Sequence, residues 1–336
     1  MSGTRSRRGA SVAALFFGLA GILLFAFQSC ALPAAPTDRY AIVIGIAKYN
    51  SSLVSDCAFA ENDASAMASL LASKGWTIYD SLISSVINET NPPYNTTVNS
   101  SAVLPYKANI KAAIQNFAAS HPNASSVLIY YSGHGAQVGG SAYMCPYDTT
   151  YSSGYLDASS LVSISELDSW VKAIPTSNRM VILDSCYSGG FVPSSASIDA
   201  APTAYDPLAG QGVTNYISAA LANSATLFAQ ALSDQSDPAI LTIAASGSNE
   251  ESYSDTYALV SPWSERHGVF TWFLLQAAQN ASTDGEKFVT ATEAYAYAKN
   301  GVLAQWDANQ SISAQGATFF PHISGGSGDI VLYDNR

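Results

Sequence analysis

The chain has 336 residues, 48% of them hydrophobic and only 12% charged, which is enough apolar side chain for a sizeable core and excludes an intrinsically disordered protein. Its formal net charge is −11, and three of its 14 basic residues, Arg5, Arg7 and Arg8, precede the first apolar run. Removing those three leaves the remainder at about −14, so a nucleic-acid partner, which needs a basic surface, is excluded.

Residues 1–36 read as an export segment. A basic start is followed by the apolar run Ser11 to Phe27 and by the small, turn-prone "QSCALPAAP", the grammar of a secretion signal. The run is a little short of the roughly 20 residues of a relaxed membrane span. "FQSC" resembles a relaxed bacterial lipobox in which Cys30 would be lipidated and become the new N-terminus, although Phe27 and Gln28 depart from the commoner pattern. Lipidation at Cys30, simple cleavage and an uncleaved anchor are three readings. All place the rest of the chain outside the cytoplasm, in the envelope, the periplasm or the medium, and two of them attach it to a membrane through its N-terminus. With Cys30 lipidated or removed, Cys57, Cys145 and Cys186 remain. An odd count in an exported protein leaves at least one thiol free or bonded to another molecule. Cys57 and Cys145 are read as small buried residues, with a disulfide between them as the alternative.

"RYAIVIGIAKY" (Arg39 to Tyr49) opens the domain as a β-rich run. "ENDASAMASLLASKG" follows as a helix with Ala60, Ala64, Met67, Leu70 and Leu71 on one face and Gly75 at its C-terminal cap. "WTIYDSLIS" is a second strand, and Asn88 to Val103, rich in Asn, Thr, Ser and Pro, is a surface insertion. "KANIKAAIQNFAAS" is a helix that turns Ile110, Ile114, Phe117 and Ala118 inward. "SSVLIYYSGHG" is a third strand. "SISELDSWVKAI" carries a capping box, Ser163 with Glu166, ahead of Leu167, Trp170, Val171 and Ile174. "RMVILDSC" is the next strand. Phe191 to Pro238 is polar and Ala/Ser-rich, with one weak helix near Tyr216 to Leu232. "AILTIAASGSNEES" resumes as a strand, "HGVFTWFLLQAA" is an amphipathic helix, and Thr290 with Glu293 opens another. Strands alternating with helices predict an α/β fold, a mainly parallel sheet covered on both faces. In such sheets a ligand sits beyond the carboxyl ends of the strands.

Two of those ends carry chemistry. One stops in Ser-Gly-His-Gly at His134 and the other in Asp-Ser-Cys at Cys186. A thiol needs a neighbouring base to become a nucleophile near neutral pH, and His134 is the candidate if the two strands are neighbours. The backbone N–H groups of Gly135 and Cys186 would then face the developing oxyanion. His267 also precedes a glycine but begins a helix, so a structural or capping role is expected; His121 and His322 read as surface residues.

These residues resemble the catalytic signature of caspase-like cysteine peptidases, most closely the metacaspases and their bacterial relatives. The resemblance lies in "VLIYYSGHGAQ" and "VILDSCYSGG" and extends through "YAIVIGIAKY", "FAENDASAMASLLASKGW", "YKANIKAAI", "ILTIAASGSNEESYSD" and "HGVFTWFLL". It implies a caspase-like α/β fold with a mainly parallel six-stranded sheet. It also implies a larger part over 37–192, a connecting segment over 193–238 and a smaller part over 239–336. His134 would be the general base and Cys186 the nucleophile of an acyl-enzyme mechanism acting on peptide or protein substrates. Metacaspases cleave after Arg or Lys, and the resemblance assigns Asp63, Ser132 and Asp184 to the pocket for that basic side chain. Asp63 as a helix cap and Asp184 as a third catalytic residue orienting His134 are the competing roles.

Three departures stand out. Ala60 occupies a position three before the pocket acid where the family often has cysteine, and Tyr187 follows Cys186 where histidine is common. Calcium-dependent members of the family carry an acid-rich loop after the catalytic histidine; the stretch from Ala136 to Ser160 holds only Asp148 and Asp157, so calcium, which the resemblance allows, is poorly supported and no cofactor is expected to be required. From Met180 to Glu265 there is no Lys or Arg. An enzyme specific for those residues would therefore leave its own connecting segment uncut and act as a single chain, taken as a monomer. The rival functions are a legumain-like or gingipain-like specificity and an inactive caspase-like binding module.

Overall fold

Four strands of this chain are apolar along almost their whole length, as strands buried on both faces of a parallel sheet must be. The computed structural model describes residues 38–57, 59–84, 103–138, 141–153, 155–185, 239–246, 252–253, 266–282, 285–308, 319–326 and 329–336. The described residues belong to one compact unit, 35–336. Cys30, Cys186, the apolar run Ser11 to Phe27, nearly all of the Asn88 to Val103 insertion and the helix expected near Tyr216 to Leu232 lie outside them.

The four strands are β1 (Arg39–Ile46), β3 (Ser126–Ser132), β9 (Arg179–Asp184) and β10 (Ile240–Ala244). With β2 (Thr77–Ser84) and β12 (His322–Ser324) they build a six-stranded sheet in the order β12-β10-β9-β3-β1-β2. Every pairing is parallel except that of β12 with β10. This is the α/β architecture expected, with one antiparallel edge. His322, read from sequence as a surface residue, lies opposite Ala244 in that edge pair.

Period-2 alternation sends neighbouring side chains to opposite faces. On one face Leu128, Tyr130, Met180 and Ile182 pack with residues of α1 (Ala60–Ser73), α4 (Val269–Asn280) and α5 (Ala291–Gly301). On the other, Ile129, Tyr131, Val181 and Leu183 pack with α2 (Lys107–Ser120) and α3 (Ile164–Lys172). Each fully buried Ile, Leu or Val contributes about 1.5–3 kcal/mol by leaving water. Most inward positions read from the helical period are buried, while Leu70 and Ala118 are only half-buried. Both capping boxes form: Ser163 with Glu166 opens α3, and Thr290 with Glu293 opens α5. Gly75 takes φ +84°, the left-handed cap expected after α1.

Gly45 on β1 admits α1. A Cβ there would collide with Ala60 O and Ala64 Cβ, so the first turn of α1 lies directly on the sheet. The short strands β4 (Gly135–Val138) and β5 (Ser141–Met144) form a hairpin immediately after β3, and β8 (Val162–Ser163) extends it. The hydrophobic period did not reveal them, because they are too short to establish one. His121 is no bare surface residue either: its ring stacks on Phe117 at 4.9 Å and meets Tyr40 and Tyr79, closing the end of the α2 core.

Candidate active site

β3 ends in Ser-Gly-His, and the structure fixes that tip from several sides. The His134 N–H donates to Tyr49 Oη at 2.8 Å. Its carbonyl accepts from Tyr131 Oη at 2.6 Å and from Cys145 N at 3.0 Å. Tyr49 also stacks on the imidazole, with centroids 5.1 Å apart and planes inclined by 23°. Burial holds both phenols well above their usual range, so they are neutral hydroxyls at neutral pH. Glycine is required at 133, because a Cβ there would sit 2.7 Å from Tyr131 Oη and 3.2 Å from Tyr49 Oη.

The ring itself has a defined tautomer. Its Nε2 lies 3.0 Å from the Ser55 carbonyl oxygen, with Ser55 Oγ at 3.4 Å. A carbonyl can only accept, so Nε2 carries the proton and Nδ1 is the basic nitrogen. Desolvation lowers the imidazole below its usual range, opposed by the Ser55 hydrogen bond and the charge of Asp56. His134 is thus a neutral imidazole at neutral pH, oriented by a backbone carbonyl and not by Asp184.

β9 runs beside β3 with Ser132 opposite Asp184, and Gly133 N donates to Asp184 O at 3.2 Å. The two tips therefore stand side by side at the same edge, as neighbouring parallel strands require. The chain is described as far as Ser185, whose carbonyl accepts from Ser246 Oγ at 3.1 Å. Cys186 is the next residue and lies outside the described residues. In the β4–β5 hairpin Gly135 pairs with Met144, one step beyond the bond from Cys145 N to His134 O. Antiparallel alternation aims the Gly135 N–H away from β5, on the edge free to meet another group.

Ser132 and Asp184 share the α1 and α4 face of the sheet, and there they meet Asp63. The three are buried, at 3%, 5% and 2% exposure. Asp63 Oδ2 accepts from Ser132 Oγ at 2.7 Å. Its Oδ1 accepts from His267 Nδ1 at 3.0 Å and from Gly268 N at 2.9 Å. Asp184 Oδ1 accepts from Ser252 Oγ at 2.6 Å, and Oδ2 from Thr271 N at 3.1 Å and Thr271 Oγ1 at 2.7 Å. Asp63 does not cap α1: the residue before the helix is Phe59, with φ 74° and no side-chain cap, and Asp63 lies inside the first turn. Gly268 lets the two acids approach, since a Cβ on it would fall within 3 Å of both Oδ2 atoms. Burial, and secondly the charge of Asp63, push the Asp184 carboxyl up to about 6. Among the described residues the donors to both carboxylates are hydroxyls, amides and one imidazole, never a guanidinium or ammonium.

Sequence reasoning missed Tyr49, Ser55, Ser252, Gly268 and Thr271, and gave His267 only a structural role. The signal for Tyr49 was its place at the end of the "YAIVIGIAKY" block, for Ser252 the "ILTIAASGSNEESYSD" block, and for Gly268 and Thr271 the "HGVFT" block, but no block says what its residues touch, and Ser55 lies in none of them. Elsewhere, the two acids after His134 have local duties. Asp148 Oδ1 accepts from Lys107 N, and Asp157 caps a short turn at Ser159. Among the described residues no group of three or more His, Cys, Asp or Glu is arranged to hold a metal ion. Neither Cys57 nor Cys145 forms a disulfide.

A family model for the caspase domain matches residues 38–309. Among solved structures the chain is similar to a Geobacter sulfurreducens protein, with 17% identity, 89% of this chain and 97% of that one covered, and a TM-score of 0.49. It is also similar to caspase-1 from Spodoptera frugiperda, with 13% identity, 90% and 92% coverage, and a TM-score of 0.48. No curated protein matches the sequence.

Proposed function

This chain belongs to the caspase-domain family of cysteine peptidases, and we propose that it is an endopeptidase that cleaves after Arg or Lys through His134 and Cys186. The observation that carries the specificity is the meeting of Asp63, Ser132 and Asp184 in one buried cluster on the α1 and α4 face, beside the tip of β3. Two desolvated carboxylates with no guanidinium or ammonium partner among the described residues suit a guanidinium or ammonium brought by the substrate.

In the proposed reaction the Cys186 thiol gives its proton to His134 Nδ1, and Sγ attacks the carbonyl carbon of the scissile bond. The N–H groups of Gly135 and Cys186 receive the oxyanion. Collapse expels the amine, which takes the proton back from His134, and leaves a thioester on Cys186. Water then attacks the thioester while His134 takes its proton, and the acid product leaves with the thiol restored. The Ser55 carbonyl keeps Nε2–H turned away from this traffic. No step uses a metal, so a chelator is expected to leave the rate unchanged.

The test is a set of fluorogenic peptides ending in Arg, Lys, Asp or Asn, given to the wild type and to Cys186→Ala, with and without chelator. Cleavage after Arg and Lys by the wild type alone is expected. Preference for Asp or Asn would overturn the pocket assignment, and no turnover of any peptide would support a binding module. Because Met180 to Glu265 contains no Lys or Arg, intact mass after incubation should show one chain. A cut inside Phe191 to Pro238 would contradict either the single-chain reading or the specificity. We also read residues 1–36 as an export segment; metabolic labelling with a fatty acid, compared between wild type and Cys30→Ala, distinguishes a lipoprotein from a cleaved or uncleaved signal.

A further inference from the structure

His267 lies 204 residues after Asp63 in the chain, yet its Nδ1 is 3.0 Å from Asp63 Oδ1. His267 is 9% exposed, and its imidazole stacks on Trp272, with centroids 6.1 Å apart and planes inclined by 22°. Because a carboxylate oxygen only accepts, Nδ1 carries the hydrogen. The Arg266 carbonyl accepts from Asn62 Nδ2 at 3.0 Å, which fastens the same loop to α1 one residue earlier. This ring therefore arrives beside the acid as part of a docked loop.

An aspartate side chain turns broadly about its last torsion unless its oxygens are held. Among the described residues Asp63 Oδ1 has two donors, the backbone of Gly268 and the side chain of His267, while Oδ2 has the one donor Ser132. Oδ2 thus keeps acceptor capacity, and it faces the same space over Gly268 as Asp184 Oδ2. A guanidinium is a rigid planar fork that needs its acceptors at fixed orientations, whereas an ammonium is a compact charge with rotatable donors. Loosening one carboxylate plane therefore damages recognition of Arg more than recognition of Lys.

We propose that His267 is a specificity-determining positioning residue: by holding Oδ1 of Asp63 it fixes that carboxylate's plane and sets the preference for Arg over Lys. The inference rests on the basic-pocket reading above and adds to it a residue and a discrimination.

Two peptides identical except for Arg or Lys before the scissile bond test it, with the wild type, His267→Asn and His267→Phe. Asn keeps a donor near the Nδ1 position; Phe keeps a ring against Trp272 and has no donor. The wild type should favour Arg, and His267→Asn should hold its Arg-to-Lys ratio of kcat/KM within about twofold. His267→Phe should lower that ratio about tenfold, through KM for the Arg peptide, with kcat changed less than about threefold. Equal losses on both peptides, or a loss confined to kcat, would overturn the proposal. If His267→Phe lacks the wild-type melting transition, His267→Ala replaces it with the same expectation. If neither folds, a shifted ratio in the Asn variant overturns the proposal and an unchanged one supports it. A wild type that cleaves after neither Arg nor Lys sinks the pocket reading, and this inference with it; a wild type that cleaves after both while His267→Phe keeps its ratio sinks this inference alone.

Discussion

The tips of β3 and β9 stand side by side in one sheet, but they are held by different parts of the chain. His134 is fixed by Tyr49, Ser55, Tyr131 and Cys145, all of which precede the stretch that follows Ser185. Asp63 and Asp184 take their donors largely from after that stretch: Ser252, His267, Gly268 and Thr271, with Ser132 the exception. The imidazole is thus prearranged by the half of the sheet that carries it, while the acids are set by Ser252, the residues leading into α4 and that helix's first turn. On the proposed reading, chemistry and selection would therefore be physically separable. Changes near Tyr49 should act on kcat, and changes near Gly268 should act on KM.

The sharpest way to break that separation is Asp184→Asn. Removing one charge from a buried ion pair typically costs about 3–5 kcal/mol, so if the site receives a cation as proposed, kcat/KM for an Arg peptide should fall by about 10²–10³ or more. Alkylation of Cys186 by a neutral thiol reagent, followed by peptide mass mapping, should proceed at nearly the wild-type rate. A parallel loss of alkylation would mean that the two tips are not independent. The same variant should be more stable at pH 8. The folded-state carboxyl is raised, so it contributes stability that is complete below its unfolded value of about 4 and is lost as pH rises through about 6. A neutral Asn escapes that loss. Its melting temperature should exceed the wild type's by a few degrees at pH 8, with the gap closing near pH 4.

Gly268→Ala attacks the pocket from the other side. Its methyl group enters the space against both Oδ2 atoms, so the acids must part or the start of α4 must withdraw. An increase in KM of about 10- to 100-fold for both basic peptides is expected, with kcat nearly kept. A fall in kcat alone would show that this loop reaches the base after all.

A milder perturbation is pH. Below about 6 the free enzyme holds a proton on Asp184, next to Asp63, with His267 on that acid's far oxygen. Binding a cation must then expel the proton, so KM should rise up to tenfold for each unit below 6. Desolvation lowers the His134 imidazole from its usual range, so its protonation is held back to lower pH. The acid limb should therefore appear in KM and not in kcat. An acid limb confined to kcat would assign it to the base and contradict the contrast drawn between the two tips.

The elements carrying both tips were legible because their signals are local: the apolar runs of β1, β3, β9 and β10, the helical periods of α1 to α3, and two capping boxes. The candidate residues His134, Asp63, Ser132 and Asp184 came from local blocks as well. What escaped depends on register and long-range packing. β4 and β5 are four residues each and β8 is two, too short to show a period. The left-handed turn at Phe59 that opens α1 has no side-chain cap to announce it. His267 and Asp63 are joined only once α4 docks on α1 and the sheet. Nothing in "SERHGVF" names its partner, so the sequence predicts only a structural or capping role for a histidine before a helix.

The smallest effect probes the other tip. Tyr49→Phe keeps the ring that stacks on His134 but removes the hydroxyl that accepts the His134 N–H. The lost hydrogen bond is worth about 0.5–1.5 kcal/mol. Tyr131 and Cys145 still hold the carbonyl of the same residue, and the Ser55 carbonyl still holds Nε2. The imidazole should therefore stay in place on average while its backbone anchor loosens. The expected result is a fall in kcat of about three- to tenfold, equal for Arg and Lys peptides, with KM unchanged for both. A change in the Arg-to-Lys ratio would mean that slack at the base is felt in the pocket, through Gly133 and its bond to the Asp184 carbonyl. That bond is a direct backbone link between the two tips, and this variant measures how much it transmits.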